Sequence, residues 1–199
     1  MATWLISTAY AFWWFQSRDL RMFDLQAEKV IDDRALTRSL NALLTELETD
    51  TETTYLIHFW QPDCSCNRFN RTHVREIAKK YRHEKFQLVT VTQPHADYSD
   101  NELIQMAQQA FSSRVIIDHQ NLLSGKTRIP AAPAAAVIDN TGKMAYFGPY
   151  SDSSFCGLGG TAFVERVTDL VFAGENTSMI NTLVAGCFCN WDKNTIHKV

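Results

Sequence analysis

The chain has 199 residues, of which 45% are hydrophobic, enough for one domain with an ordinary buried core and short extensions. Its formal net charge is −3 and its lysines and arginines form no cluster or stripe, which argues against a nucleic-acid-binding protein. Five cysteines, four of them in two Cys-x-Cys pairs, indicate redox or metal chemistry rather than a disulfide scaffold.

The N-terminal stretch, residues 2–15, is apolar, uncharged and rich in aromatic residues at its end. It is shorter than the ~20 residues that a membrane-spanning helix needs. Bulky aromatic residues followed by Arg18 and Arg21 are nevertheless typical of a membrane interface. We therefore expect residues 1–16 to anchor the protein to a membrane. A buried N-terminal helix is the alternative, and the two arginines count against the anchor under the positive-inside rule.

Periodicity and turn signals divide the rest of the chain. We expect a linker over 17–33, a folded domain over 34–173 and a C-terminal extension over 174–199. Strands alternate with helices and end in a hairpin and a helix, which predicts an α/β domain. The predicted helices cover 34–48, 68–84, 99–111 and 161–172, and the predicted strands begin at Tyr55 and cover 86–92, 114–118, 134–139 and 143–147.

The first cysteine pair, Cys64-Ser65-Cys66, lies where the strand beginning at Tyr55 gives way to a helix. The first turn of a helix has unpaired N–H groups and a partial positive charge, which favour an anion. A thiolate is such an anion, so we expect Cys64 to have a lowered pKa and raised reactivity. Inert, partly buried thiols are the alternative.

Strand, Phe-Trp, three residues and then a cysteine pair opening a helix resembles the redox site of the thioredoxin superfamily. A second segment, 133–143, resembles the cis-proline, strand and turn of the membrane-anchored periplasmic thioredoxin-like reductases. The resemblance implies a three-layer thioredoxin-like fold, with a central mixed sheet and helices on both faces. It also implies an inner-membrane protein facing the periplasm. The chain departs from the family in its Cys-x-Cys pair, where the family has Cys-x-x-Cys, and in His58, where the family has a carboxylate.

The resemblance assigns roles to individual residues. Cys64 would attack a disulfide of a protein substrate and Cys66 would resolve the mixed disulfide. His58, six residues before Cys64, would accept the proton, although a lone core histidine is as often a packing residue. The cis-proline would be Pro133; with Ala132 before it and Trp60, it would form the substrate surface.

A disulfide closed through a single intervening residue is strained and easily reduced, which predicts an oxidising or isomerase-like Cys64–Cys66 couple.

The second pair, Cys187-Phe188-Cys189, lies between Gly186 and Asn190, which predicts an exposed, turn-like segment near a flexible end. Three readings stay open. The pair is a relay dithiol for Cys64, or all four cysteines bind copper or zinc, or the pair is a lone structural disulfide or two thiols with no role. Without metal, no cofactor is expected. Cys156 is a lone cysteine that we expect to be inert.

The sequence therefore predicts thiol–disulfide exchange with protein partners. A copper chaperone and a catalytically silent thioredoxin-like domain are the alternatives.

Overall fold

The computed structural model describes residues 2–17, 20–26, 31–47, 52–153 and 162–191. The helices are α1 (Ala2–Ser17), α2 (Asp33–Thr45), α3 (Asn67–Lys80), α4 (Asp100–Phe111) and α5 (Phe163–Phe172), with a 3₁₀ turn over Gly125–Thr127. The strands are β1 (Leu20–Met22), β2 (Thr54–Phe59), β3 (Phe86–Thr92), β4 (Arg114–Ile117), β5 (Ala131–Ala132), β6 (Ala134–Ile138), β7 (Met144–Gly148), β8 (Met179–Ile180), β9 (Ala185–Cys187) and β10 (Cys189–Asn190).

Six strands form the central sheet in the order β4-β3-β2-β6-β7-β8. Strands β4, β3 and β2 run parallel, and β6 is antiparallel to both β2 and β7, so the sheet is mixed. β2 lies in the middle and is buried at all six positions. A strand covered on both faces reads as a continuous apolar run, which is why residues 54–59 show no polar alternation.

Local signals explain where the helices begin. Asp32 caps α2 by accepting a hydrogen bond from the backbone N–H of Ala35. Ser99 and Glu102 form a reciprocal capping box at α4. Each of the helices α2 to α5 then buries one stripe, which for α2 consists of Leu36, Leu40, Leu43 and Leu44.

The two faces of the sheet have separate cores. One core contains the leucines of α2 together with Ile57, Phe59, Phe188 and Trp191. The other contains the buried faces of α3, α4 and α5 together with Leu56 and Trp60. Helices therefore cover both faces of a mixed sheet, as predicted.

Residues from the predicted linker and the C-terminal extension pair with the rest of the fold. β1 pairs antiparallel with β9, with Leu20 opposite Cys187. β8 joins the edge of the central sheet beside β7. The extension is thus part of the folded body as far as Trp191, because its strands take up the backbone hydrogen bonds of neighbouring edges.

Helix α1 carries no charged residue, and its side chains from Thr3 to Trp14 are exposed. Its large hydrophobic side chains are 55–71% exposed: Trp4, Leu5, Ile6, Tyr10, Phe12, Trp13 and Trp14. Among the described residues, no helix combines the length and the hydropathy needed to span a bilayer.

Candidate redox site

The first Cys-x-Cys pair lies at the beginning of α3, as the sequence predicts. β2 ends at Phe59, a short turn follows, and Cys66 is the residue that precedes the helix proper. The backbone N–H of Asn67 donates to the carbonyl of Cys64, and that of Phe69 donates to the carbonyl of Cys66. Cys64 is 5% exposed and Cys66 is fully buried. The helix N-terminus therefore lies beside both sulfur atoms.

The cysteines are paired between the two motifs. Cys64 is bonded to Cys189 and Cys66 to Cys187, with Cα–Cα separations of 5.8 and 5.5 Å. The predicted Cys64–Cys66 disulfide is therefore wrong for this oxidised form. A ring closed through one intervening residue is unfavourable, whereas two facing Cys-x-Cys segments reach each other at ordinary Cα separations. The prediction of an oxidising Cys64–Cys66 couple rested on the strain of that ring, and Cys64 and Cys66 are not bonded to each other here.

The prediction of an exposed, turn-like tail is also wrong. Cys187 is 7% exposed, Phe188 is 2% and Trp191 is 1%. Phe188 lies against Phe23, with ring centroids 5.2 Å apart, and Trp191 lies against Phe59 at 5.7 Å. Two large aromatic side chains bury enough apolar surface to hold this segment in the core, despite its glycine and its position near the chain end.

The peptide bond between Ala132 and Pro133 is cis, and it faces the cysteines. The Sγ atom of Cys64 lies 3.6 Å from the carbonyl oxygen of Ala132. On the same short strand, Ala132 is paired antiparallel with Cys189, and Ala131 with Asn190. The structure thus brings Cys64, Ala132, Pro133 and Cys189 together at one point.

A cavity of about 480 Å³ opens beside Cys64. Trp60 and Phe111 form part of its apolar wall, and the polar wall includes Arg68 and Arg71. The guanidinium groups add positive charge near the N-terminus of α3, and positive charge favours a thiolate over a thiol at Cys64 after reduction. Trp60, which the sequence placed in the substrate surface, borders the route to the sulfur.

His58 lies in the other core. Its Nδ1 atom is 2.9 Å from the hydroxyl oxygen of Tyr150, and its ring centroid is 4.5 Å from that of Phe111. Burial lowers the pKa of His58 to about 3, against a smaller opposing contribution from the backbone of Ala134. The imidazole is therefore neutral near neutral pH, and its role as a proton acceptor stays a prediction.

The structure also identifies residues that the sequence did not single out. The side-chain amide of Gln61 donates to the backbone carbonyl of Trp191, and that of Asn67 donates to the carbonyl of Gln61. The first bond connects the turn before Cys64 to the C-terminal segment, and the second connects the same turn to the first residue of α3. Neither residue belongs to a motif, so no signal in the sequence marks them. Cys156 lies outside the described residues.

Three sulfur atoms lie close enough to act as a group. The Sγ atoms of Cys64, Cys66 and Cys189 all lie within 4.8 Å of one another. Such a group permits exchange of disulfide partners inside the protein, because a freed thiolate has a neighbouring sulfur within a short movement. In the reduced protein the same three thiolates fit a soft metal ion.

Comparisons with known proteins place the chain in a family and support its fold. A family model described as a domain of unknown function (DUF6436) matches residues 33–191. No curated protein matches. A hypothetical protein from Sinorhizobium meliloti is 19% identical with a TM-score of 0.56, covering 74% of this chain and 82% of that one.

Two further solved structures are similar. An uncharacterized conserved protein from Geobacillus kaustophilus is 17% identical with a TM-score of 0.57, covering 71% of this chain and 79% of that one. An uncharacterized thioredoxin-like protein from Porphyromonas gingivalis is 16% identical with a TM-score of 0.49, covering 64% and 81%. At 19% and 17% identity, the likeness to the Sinorhizobium meliloti and Geobacillus kaustophilus structures shows the fold alone. The mixed sheet between helices, with a cis-proline facing the cysteines, is the predicted thioredoxin-like fold.

Proposed function

We propose that this chain, which belongs to the family described as a domain of unknown function (DUF6436), exchanges disulfides with other proteins through Cys64. The observation that carries the proposal is the bond between Cys64 and Cys189 at the opening of α3, beside the cis-peptide of Pro133. A mixed disulfide between Cys64 and a substrate has a good leaving group on the Cys64 side, because the helix N-terminus stabilises the thiolate that forms when the substrate's second thiolate resolves it.

The Cys64–Cys189 bond, here called the outer disulfide, reacts first. Cys189 is partly exposed, whereas Cys66 and Cys187 are buried, so an incoming thiolate meets the Cys64–Cys189 bond. A thiolate of a protein dithiol attacks the sulfur of Cys64, and Cys189 leaves as a thiolate. The second thiolate of the substrate attacks the substrate's own sulfur in the mixed disulfide and releases Cys64. The substrate gains a disulfide and the chain gains two electrons.

The Cys66–Cys187 bond, here called the inner disulfide, then takes part. The freed thiolate of Cys189 attacks the Sγ atom of Cys66, which lies within 4.8 Å, and Cys187 leaves as a thiolate. This step moves the remaining disulfide from Cys66–Cys187 to Cys66–Cys189 without a change in electron count. A second dithiol then reduces that bond through the partly exposed Cys189. The C-terminal pair thereby serves as a relay that stores two further electrons.

The proposal is tested by disulfide exchange with insulin and with a reduced, unfolded protein. We expect Cys64→Ser to lower both rates at least 100-fold, because the attacked sulfur is lost. Cys156→Ser, which leaves the four paired cysteines in place, is the matched control and keeps the wild-type rates. Full activity of Cys64→Ser in both assays would show that the proposal is wrong.

Membrane attachment through residues 2–17 is the second part of the proposal. It is supported by the seven exposed large hydrophobic side chains of α1 and by the lack of charge in that helix. An inner-membrane location with the domain in the periplasm suits disulfide chemistry, because that compartment is oxidising. Vesicles of neutral lipid should bind the full chain. A variant with serine at Trp4, Phe12, Trp13 and Trp14 should stay in solution.

A metal-handling function is the alternative that one specific observation favours, namely the grouping of three sulfur atoms within 4.8 Å. In the reduced protein Cys64, Cys66 and Cys189 would hold Cu(I), which prefers soft thiolate ligands, and the ion would be cargo for another protein. Titration of the anaerobically reduced chain with Cu(I) against a competing chelator tests this. One tightly bound ion, lost in Cys189→Ser but kept in Cys156→Ser, would support it.

A further inference from the structure

We propose that the C-terminal segment 187–191 is an internal substrate, occupying the strand-pairing position that an external, cysteine-containing protein segment takes after reduction. This inference rests on the proposed function and names the substrate class of the same site. The substrate is an extended segment whose cysteine reacts with Cys64 while its backbone pairs with Ala131–Ala132.

The backbone geometry points to an internal substrate. Cys189 is bonded through sulfur to Cys64 and is paired through its backbone with Ala132, the residue before the cis-proline. Asn190 continues this pairing opposite Ala131. Cys189 is thus both disulfide-bonded to Cys64 and part of an added antiparallel strand. An extended peptide substrate bound as a mixed disulfide would have the same two interactions. Strand addition supplies affinity through the main chain, independently of sequence.

The side chains of the segment show what else the site accepts. Phe188, one residue before Cys189, is buried against Phe23, and Trp191, two residues after it, is buried against Phe59. These contacts select for large aromatic residues at the two positions, because both side chains fill space inside the core. The favoured external substrate is therefore an extended segment with a cysteine flanked by aromatic residues.

Reduction decides whether the site is open. While Cys64–Cys189 is intact, the segment is held covalently and an external strand has no edge to join. Two equivalents of a dithiol reductant, each oxidised to a disulfide, donate four electrons and leave free thiols at Cys64, Cys66, Cys187 and Cys189. With both bonds reduced, the segment is held only by its strand pairing and aromatic contacts. It still competes as a tethered ligand, at a high effective concentration.

The test measures how fast Cys64 captures a peptide. The probe is Gly-Ser-Phe-Cys-Asn-Trp, residues 186–191 with serine for Cys187, whose cysteine carries a thionitrobenzoate group. Attack by the Cys64 thiolate forms the mixed disulfide and releases coloured thionitrobenzoate. The control peptide is N-methylated at its cysteine and asparagine, which removes the strand hydrogen bonds and keeps the sulfur. The full chain carries Cys66→Ser, Cys156→Ser, Cys187→Ser and Cys189→Ser, so that Cys64 is its only thiol.

We expect the unmodified peptide to react at least tenfold faster than the N-methylated one. Adding Phe188→Ala and Trp191→Ala should raise the rate with the unmodified peptide several-fold more, since the internal segment then competes poorly. The oxidised Cys156→Ser chain should release no colour, whereas the same variant should release colour once it has been reduced and the reductant removed.

Equal rates for the two peptides, with Cys64 still reactive toward the small reagent dithiobis(nitrobenzoate), would overturn this inference and leave the proposed function standing. A Cys64 that fails to react even with the small reagent would overturn the proposed function as well.

Discussion

Gln61 donates its side-chain amide to the backbone carbonyl of Trp191, and both residues are buried. Because Gln61 precedes Cys64 by three residues, this bond fixes the end of the C-terminal segment to the turn that carries the reactive sulfur. The segment is therefore held by a contact that survives reduction of both disulfides. Its strength decides how readily the reduced protein opens.

Gln61→Ala should loosen the segment in the reduced protein. Loss of one buried hydrogen bond costs about 1 kcal/mol, which is about fivefold in the opening equilibrium. Chymotrypsin should therefore cleave after Phe188 about fivefold faster in the reduced variant than in the reduced wild type. Gln105→Ala, which changes an exposed glutamine, is the matched control. Cleavage at the same rate in both variants would contradict the proposed contact.

The disulfide pairing can be checked by leaving one pair at a time in a Cys156→Ser background. Cys66→Ser with Cys187→Ser should give a single Cys64–Cys189 bond, and Cys64→Ser with Cys189→Ser a single Cys66–Cys187 bond. Alkylation followed by mass measurement should then find no free thiol. The control, Cys66→Ser with Cys189→Ser, leaves Cys64 and Cys187, which are not partners, and should keep two free thiols. Complete oxidation of the control would argue for interchangeable pairing.

The two disulfides should stabilise the fold non-additively. They span 125 and 121 residues and are nested, so they close almost the same loop in the unfolded chain. Removing either one leaves that loop closed and should cost little. Removing both should cost about 4–5 kcal/mol, the chain-entropy value for a loop of about 100 residues or more. Urea unfolding of the two single-bond variants and of the four-serine variant measures this. Equal, additive losses for each bond would rule out the nested-loop account.

The buried His58 should make stability depend on pH. Its pKa is lowered to about 3 in the folded chain, below the value of about 6.5 for a free imidazole, so the unfolded chain binds the extra proton between these values. Stability from this group is therefore full above pH ~6.5 and falls as the pH decreases toward 3, by about 1.4 kcal/mol per pH unit. His58→Gln, which keeps a polar partner for Tyr150, should show a shallower slope in urea unfolding from pH 4 to 6.5. If the free energy of unfolding changed equally with pH in both proteins, another group would be taking up the proton.

Much of the fold was predictable because its signals are local. The polar loop before β2, the capping residues at Ser99 and the turn after Asp139 each mark a boundary within a few residues. The cis-proline at Pro133 and the cysteines at the start of α3 follow from short motifs of the same kind. Successive residues of a strand point to opposite faces of the sheet. His58 therefore shares a face of β2 with Leu56, and Ile57 and Phe59 lie on the other face.

The pairing of the cysteines was not predictable in this way. It depends on β9 and β10 returning to β1 and β5, and the bonded cysteines are more than 120 residues apart in the chain. The glycine and asparagine beside the second pair are turn formers, so local signals indicate an exposed end. The burial of Phe188 and Trp191 overrides them. Only contacts across the whole fold carry this information.

Cys64 and Cys66 lie in the turn that opens α3, whereas Cys187 ends β9 and Cys189 begins β10. Cys64 and Cys66 face Cys189 and Cys187 in opposite order, so the two bonds resemble adjacent rungs of a ladder. Both bonds can form together because the two motifs have the same spacing between their cysteines. A residue inserted between Cys187 and Cys189 should let only one rung close at a time. The short Cys-x-Cys interval, poorly suited to a ring of its own, is the one that fits a second interval of equal length.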